Sequence, residues 1–400
     1  MKILYLHQYF VTPMMKGGTR SYEMAKRMVA AGHEVHMITS TSDGGDGVRH
    51  EVIDGINVHW IPVLYNNKMG NVRRIAAFVK FAYLSALLAK KIGGDIIFAT
   101  STPLTIVIPA LYAKLRLKIP MVFEVRDLWP ELPIAMGALN SKITRWLAYK
   151  MEHVAYHSSA NVIGLSPGMC AGIAKTGYPR EQIHNIPNSC DNKLFEVPDD
   201  LGQDYRARYE WLEDRPLVVY AGTFGRINGV CYLAELAKAV YLIDPEIRFM
   251  AVGAGADEQK LLETSKALDV YEKNLFIMPP IIKSEIPQLL SAATVCCSLF
   301  IPVEEMWENS ANKFFDAMAA SKPVVINYGG WQSDIIKRHH NGLSLVSSDI
   351  SSSAESLVAF IRNKTLLKEA SLASKVLATT EFDRDILASK LIDVLASSLE

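Results

Sequence analysis

Two carboxylates flank the start of a predicted helix in the second half of the chain. Glu308 lies in a loop, and Asp316 lies about one turn into the helix that begins near Asn312. Carboxylates accept hydrogen bonds from ligand hydroxyls, and the free N–H groups at a helix start bind phosphates. The acid-x7-acid spacing therefore suits a ligand with a diphosphate and sugar or ribose hydroxyls. A surface loop in which Asp316 is merely solvated would show the same residues.

A glycine-rich turn lies upstream of these acids. Residues Gly222 to Gly229 follow a predicted strand and lead into a predicted helix from Cys231 to Tyr241. Glycine lets backbone N–H groups approach a phosphate closely, and Arg226 could balance the phosphate charge. A tight strand-to-helix turn without a ligand explains the glycines almost as well.

An arginine and an aspartate, Arg126 and Asp127, directly follow the predicted strand Met121 to Val125. Ligand sites of parallel α/β sheets gather at the carboxyl ends of strands. Asp127 could orient or deprotonate an acceptor hydroxyl, while Arg126 could hold a phosphate or the charge of a leaving group. The alternative is a structural Arg-Asp pair that caps the next helix.

Histidines indicate a functional site less strongly than the acids and the Arg-Asp pair do. His7 ends the first predicted strand and could face a site, whereas His153, His157 and His184 are expected on helix or loop surfaces. Trp129 suits an acceptor channel or a packing role equally well.

Strands alternate with helices along the whole chain, which is the scaffold such residues need. The predicted strands of the first half are Lys2 to His7, Val35 to Thr39, Asp95 to Thr100, Met121 to Val125 and Asn161 to Leu165. Those of the second half are Leu217 to Ala221, Arg248 to Val252, Leu275 to Met278, Val295 to Leu299 and Pro323 to Ile326. This alternation predicts an α/β fold of two Rossmann-like, doubly wound parallel-sheet domains whose strand ends face a central cleft.

Length also favours two domains, because 400 residues, half of them apolar, exceed what one hydrophobic core usually supports. The stretch from residue 185 to 200, with its prolines and acids, is the expected linker. We predict a first domain over 1–190 and a second over 191–375. A C-terminal helix over 376–400 is expected to pack back on the first domain.

Charge and cysteine content limit the possible partners. Residues 1–190 hold 21 Lys and Arg against 12 Asp and Glu, which leaves 21 against 30 for the rest, so halves of +9 and −9 cancel. The neutral whole gives no general attraction to nucleic acid. Five cysteines without zinc-site or disulfide spacing fit a reducing cytoplasm. No signal peptide or membrane span is expected, because the longest apolar run is far below about 20 residues.

One segment combines basic and apolar side chains. From Lys68 to Lys91, several lysines and arginines accompany aromatic and aliphatic residues such as Phe78 and Tyr83. This composition suits peripheral contact with an anionic membrane that carries a lipid-linked acceptor. Because the apolar residues run most of the way around, a helix packed inside on the sheet is the stronger interpretation.

Several segments are similar to retaining glycosyltransferases of family 4, which have the GT-B fold. Besides the two acids and the Ala317-Met318-Ala319 and Lys322-Pro323-Val324-Val325 that follow them, the similar segments are Gly17-Gly18, Gly32-His33-Glu34-Val35, Tyr220-Ala221-Gly222, Val252-Gly253-Ala254-Gly255 and Ser291-Ala292-Ala293. The run Arg126-Asp127-Leu128-Trp129-Pro130-Glu131 resembles bacterial transferases of O-antigen and capsule assembly, a group that includes fucosamine transferases.

The resemblance implies roles for individual residues. Glu308 would contact hydroxyls of the donor sugar, Asp316 would contact the ribose, and the backbone at Asn312 and Lys313 would bind the diphosphate. The remaining implied donor contacts are Gly17, Gly18, Gly222, Arg226, Ser310, Ala311 and Ile281. Asp127, Arg126 and Glu308 are the implied catalytic residues.

The chain departs from the family pattern at several positions. Thr223 and Asn228 stand where relatives commonly have Arg and Lys, Asp316 replaces a Glu, and Arg126 stands where many relatives have His. Phosphate neutralisation would then depend on Arg226, Lys313 and backbone dipoles.

The resemblance also implies a reaction. The chain is expected to move a sugar, such as N-acetyl-L-fucosamine, from a nucleotide diphosphate sugar to a lipid-linked glycan, with UDP the expected carrier. The reaction would retain anomeric configuration by front-face attack at the inner face of the cytoplasmic membrane. Because no Asp-x-Asp motif lies in a suitable place, neither a metal nor a cofactor is expected. Two alternatives stay open: a nucleotide-sugar epimerase of the same fold, and a non-catalytic subunit that binds sugar nucleotides.

Overall fold

A computed structural model describes residues 1–15, 17–42, 45, 47–64, 69–137, 139–198 and 200–400, apart from the side chains of residues 71 and 72. The chain forms two compact units. The first comprises Met1–Pro187 together with Asp385–Glu400, and the second comprises Asn188–Arg384. Each unit is an α/β sheet structure with a core of its own, as the alternation of strands and helices predicts.

The first unit is built on an eight-stranded sheet with helices on both faces. In chain order its elements are β1 (Lys2–Leu6), α1 (Arg20–Ala30), β2 (Glu34–Thr41), β3 (Arg49–Ile53), β4 (Ile56–Pro62), α2 (Asn71–Ile92), β5 (Ile96–Thr100), α3 (Val107–Leu117), β6 (Met121–Val125), α4 (Glu131–Ala135), α5 (Lys142–His157), β7 (Asn161–Gly164), α6 (Pro167–Lys175) and β8 (Ile183–Asn185). The strand order is β3-β4-β2-β1-β5-β6-β7-β8, and every neighbouring pair is parallel except β3 with β4.

The second unit contains a six-stranded, fully parallel sheet. Its elements are α7 (Asn192–Phe195), α8 (Leu201–Arg206), β9 (Leu217–Ala221), α9 (Cys231–Ile243), β10 (Arg248–Val252), α10 (Glu258–Ala267), β11 (Leu275–Met278), α11 (Ile286–Ser291), β12 (Val295–Ser298), α12 (Asn312–Ala319), β13 (Val324–Ile326), α13 (Trp331–His339), β14 (Gly342–Ser344), α14 (Ile350–Arg362) and α15 (Lys364–Thr380). The strand order is β11-β10-β9-β12-β13-β14. Two doubly wound, largely parallel sheets confirm the predicted fold class.

Alternating side chains of the central strands build two cores in the first unit. Leu4 and Leu6 of β1 point to the core that α2, α3 and α5 cover. Ile3 and Tyr5 point to the opposite core, which α1 covers. Both faces of a parallel sheet are buried under helices, which is why these strands are apolar at successive positions.

The C-terminal part of the chain is divided between the two units. The helix α15 belongs to the second unit, and the last helix, α16 (Arg384–Ser397), lies in the first from Asp385 onward. There it packs Leu387, Leu391 and Leu395 into the same core as α1. The predicted helical stretch at 376–400 therefore contains the end of one helix and a second, separate helix.

Two other segments singled out in the sequence are the basic and apolar stretch from Lys68 to Lys91 and the linker. Of the segment Lys68 to Lys91, Lys68 lies outside the described residues and the rest from Asn71 onward forms α2. The expected linker over 185–200 includes residue 199, which also lies outside them. Among the helices of the described ranges, none has the length and hydropathy to cross a bilayer.

Candidate functional site

The glycine-rich turn of the second unit packs against α12. Gly222 has a φ of 154°, and a Cβ there would lie 2.3 Å from Cε of Lys313. The lysine side chain therefore occupies the space that the glycine leaves. Its Nζ lies 5.1 Å from the centre of the Tyr220 ring at the end of β9. The fold thus joins two segments that the sequence separates by some ninety residues, Gly222 and Lys313.

Burial lowers the pKa of Lys313 to about 8, although the charge of Asp316 opposes this shift. A buried ammonium without a close anion is costly, so the surroundings disfavour its charged form. An anion bound beside Nζ would relieve that cost. Lys313 is therefore placed to bind a negatively charged ligand.

The start of α12 is open to such a ligand. Its N-cap residue is Ala311, which makes no side-chain capping bond to the first turn. The N–H groups of a helix start need other partners when no side chain caps them, and a phosphate can supply these. Asn312 and Lys313 are the first two residues of the helix. The uncapped start and Lys313 therefore offer complementary contacts for a diphosphate.

Ser310 fixes the loop in front of α12. The residue is buried, its Oγ accepts a 2.9 Å hydrogen bond from the backbone N–H of Asn188, and its carbonyl accepts from the Asn188 side chain. Glu308 lies half-buried in the same loop. Nε1 of Trp331 donates to the carbonyl of Asn309 at 3.1 Å. The loop that carries Glu308 is therefore anchored at the two residues that directly follow it.

Asp316 is held by a lysine that the sequence analysis missed. Lys283 Nζ donates to both carboxylate oxygens, at 2.8 and 2.9 Å, and lies 5.6 Å from the centre of the Phe195 ring. Asp316 is thus a paired carboxylate with 16% of its side chain exposed, not a solvated cap. A carboxylate oxygen can accept more than one hydrogen bond, so room for a ligand hydroxyl remains. Lys283 lies two residues after Ile281, an expected donor contact, in the segment that follows β11.

The other expected donor contacts are distributed over two loops. Arg226 is exposed on the turn after Gly225. Gly17 and Gly18 are exposed between β1 and α1, and Gly17 has a φ of 139°, which favours glycine. Lys16 lies outside the described residues.

In the first unit, Arg126 contacts a histidine rather than Asp127. Nη1 of Arg126 lies 3.2 Å from Nε2 of His7, and Asp127 accepts a 2.9 Å hydrogen bond from the Thr102 hydroxyl. Because arginine only donates, Nε2 of His7 is the acceptor and its proton lies on Nδ1. Burial, with the charge of Arg126, holds the pKa of His7 well below its ordinary value. The cap of α4 is Pro130, so neither residue caps that helix.

A buried ion pair in the same unit, between Arg20 and Glu124, was not predicted from the sequence. Arg20 of α1 donates to Glu124 of β6 at 3.1 and 2.8 Å, and to the carbonyls of Ile186 and Pro187 at 2.8 and 2.6 Å. Burial would raise the pKa of Glu124, but Arg20 and Arg126 hold it below its ordinary value. A lone Glu in the apolar strand Met121–Val125 is the signal that could have indicated a buried cationic partner.

Polar groups near these residues are left without partners. Nδ1 of His7 and both polar atoms of the Gln8 side chain are buried and make no hydrogen bond within the described part of the chain. Buried polar atoms are normally paired, so such a group marks a place for ligand or water. No cluster of three or more His, Cys, Asp or Glu that could hold a metal occurs in the described ranges.

Family models match most of the chain in two parts. A glycosyl transferase 4-like domain matches residues 17–189, and a glycosyl transferases group 1 domain matches residues 215–363. No curated protein matches the sequence.

Solved structures resemble the whole chain. The sucrose-phosphate synthase of Thermosynechococcus elongatus has a TM-score of 0.80 at 17% identity, with 99% of each chain covered. Anabaena HepE in complex with UDP-glucose has a TM-score of 0.74 at 17% identity, with 99% of this chain and 100% of that chain covered. WaaG, described as a glycosyltransferase involved in lipopolysaccharide biosynthesis, has a TM-score of 0.71 at 16% identity, covering 98% of this chain and 99% of that one. At these identities the likeness establishes the GT-B fold.

Proposed function

Because the chain is a glycosyltransferase of the GT-B type, we propose that it moves a sugar from a UDP-sugar to a lipid-linked glycan, with retention of anomeric configuration and without a metal. The observation that carries this proposal is the contact of Lys313 with Gly222 at the uncapped start of α12. It supplies a cation and free N–H groups where a diphosphate needs them.

Donor binding would use three parts of the second unit. Lys313 and the first turn of α12 bind the diphosphate, whose charge grows on the leaving group as the glycosidic bond breaks. Glu308 accepts hydrogen bonds from sugar hydroxyls. Asp316, oriented by Lys283, accepts from the ribose. HepE has been solved with UDP-glucose, which supports a uridine carrier for this chain.

Acceptor activation would use the first unit. The Asp127 carboxylate would orient the acceptor hydroxyl or take its proton. Arg126 would bind a phosphate group or stabilise the negative charge of the leaving group. His7 accepts from Arg126 and so orients the guanidinium. Retention by front-face attack needs no enzymatic nucleophile, since the departing diphosphate guides the acceptor to the same face.

The acceptor is proposed to be a lipid-linked glycan of surface polysaccharide assembly at the cytoplasmic face of the membrane. Two facts support this proposal. The run Arg126 to Glu131 resembles O-antigen and capsule transferases, and WaaG, with the same fold, serves lipopolysaccharide biosynthesis. N-acetyl-L-fucosamine is the first donor sugar to test, because the resemblance includes fucosamine transferases.

Substitution of the two acids tests the donor site. Glu308→Ala and Asp316→Ala should each lower kcat/KM for transfer by at least about a hundredfold, the loss of roughly 3 kcal/mol of transition-state binding. Glu305→Ala, in the same loop but exposed, and Asp334→Ala, exposed on α13, are matched controls that should transfer normally. Near-normal transfer by both acid variants would refute the donor-site assignment.

A donor screen comes before that assay. Thermal stabilisation by UDP-, GDP- and dTDP-sugars identifies the carrier, because a ligand that binds the native state raises the apparent stability. Incubation with donor alone separates the alternatives: an epimerase changes the sugar without acceptor, and a non-catalytic subunit binds donor but transfers nothing. The anomer of the product, read by NMR, decides retention.

A further inference from the structure

One face of the first unit's sheet is covered by α2, α3 and α5, and α6 adds Ile173 to the same core. The buried side chains of α2, α3 and α5 enter the same core, for example Phe81, Ala110 and Ala155. The helices α1 and α16 cover the opposite face. The outward sides of α2, α3 and α5 therefore face the same way, and we call them the helix-layer surface.

The helix-layer surface exposes large apolar side chains in an ordered pattern. On α2, Ile75, Val79, Tyr83 and Leu87 recur every fourth residue and are all exposed, Val79 by 62%. Residues four apart on a helix lie along one side, so they form a stripe about 18 Å long. On α5, Ile143, Trp146 and Leu147 are exposed, Trp146 by 59%. Exposed apolar patches of this kind mark interaction sites.

The same three helices are basic. By sequence α2 carries five lysines and arginines, α3 two and α5 three, whereas the one acid among them is Glu152. Glu152 is buried, and burial together with the charge of Glu131 raises its pKa to about 8. Among the described residues of these three helices no carboxylate is exposed, and repulsion disfavours contact with a second copy of the same face.

A cavity continues this surface at the start of α2. It has a volume of about 360 Å³ and is lined mainly by Pro62, Val63, Leu64 and Met69 together with Arg73 and Lys80. An apolar wall with two cations suits a phosphate that is attached to a lipid. Nucleic acid would use the cations but would leave the aliphatic stripe in water.

We infer that the helix-layer surface docks on an anionic lipid bilayer, with its apolar stripe at the headgroup boundary and its lysines and arginines on lipid phosphates. Charge complementarity favours this partner, because exposed aliphatic and aromatic side chains flanked by lysines and arginines are typical of a helix that lies in a membrane interface. The inference deepens the proposed function by giving the lipid-linked acceptor a docking face. The vesicle experiment uses neither donor nor acceptor, so failure of the membrane inference can be distinguished from failure of the proposed function.

Co-sedimentation of the full chain with vesicles tests the inference. The protein should pellet with phosphatidylcholine vesicles that contain phosphatidylglycerol, release as salt rises, and pellet little with phosphatidylcholine alone. A triple variant, Lys80→Gln with Lys90→Gln and Lys150→Gln, should lose roughly a hundredfold in partitioning, at about fivefold per charge. Val79→Ser with Trp146→Ser should weaken binding while leaving the salt dependence in place.

Matched controls keep the experiment decisive. Lys26→Gln with Lys390→Gln removes exposed lysines from α1 and α16, and Leu242→Ser with Leu372→Ser removes exposed apolar groups from the second unit. These variants should sediment like the wild type. Absence of binding to anionic vesicles, equal binding to neutral ones, or equal loss in the controls would overturn the inference. So would preferential binding to a nucleic acid or a dimer that the triple variant abolishes.

Discussion

At the scale of single residues, Lys313 links donor binding to pH. Its pKa of about 8 in the free protein reflects burial, and a bound diphosphate would raise that pKa. Donor binding above about pH 8 then requires proton uptake. Affinity for a UDP-sugar should be constant below pH 8 and weaken by up to about tenfold per pH unit above it.

Isothermal titration calorimetry across this range, in buffers of different ionisation enthalpy, measures both the affinity and the proton uptake. The variant Lys313→Met should bind weakly throughout and show only the pH dependence of the ligand itself. If the variant keeps the full slope of the wild type, the titrating group lies elsewhere.

Lys283 acts through Asp316, because its Nζ donates to both oxygens of that carboxylate. Without the lysine, the carboxylate loses its orientation toward the ribose. Lys283→Gln should therefore raise KM for the donor by about tenfold, equivalent to one charged hydrogen bond, with little change in kcat. A 2′,3′-dideoxyribose donor, which has no hydroxyl to offer, should lose much less. Lys273→Gln breaks an exposed pair with Asp269 and serves as the control; an equal loss of affinity with both donors would contradict the positioning role.

At the scale of elements, the sequence predicts best where burial is continuous. The strands β5, β6 and β9 are mostly apolar and buried along almost their whole length, and the predicted bounds agree to within a residue or two. The hairpin of β3 and β4 was missed, since four of the five residues of β3 are exposed and have no apolar period. Its turn, Asp54-Gly55, has φ values of 47° and 80°, so the Asp-Gly pair was a usable hairpin signal.

The candidate site, like the fold, could be predicted only in part. The helix start at Asn312 could be predicted, because the loop, the cap and the helix are adjacent in sequence. The contacts that position the site could not. The pairs Lys283 with Asp316 and Arg20 with Glu124 join residues 33 and 104 positions apart. A single sequence can show that a charged residue needs a partner, but it does not show which distant residue that partner is. The predicted helix over 376–400 is instead interrupted between Thr380 and Arg384, where neither glycine nor proline marks a break in the sequence.

At the scale of the whole molecule, each unit has its own core, but the chain closes the first core with its last helix. Leu391 of α16 is fully buried in the core that also contains Tyr5 and Met28. Leu391→Ala should lower the free energy of unfolding of the first unit by about 2–5 kcal/mol through lost burial and a cavity. Hydrogen exchange should then accelerate in β1 and α1 but not in β9 or α12. Stabilisation by a UDP-sugar should persist, since its proposed contacts lie mainly in the second unit. Ser389→Ala, exposed on the same helix, is the control; faster exchange throughout both units would show instead that the two cores unfold together.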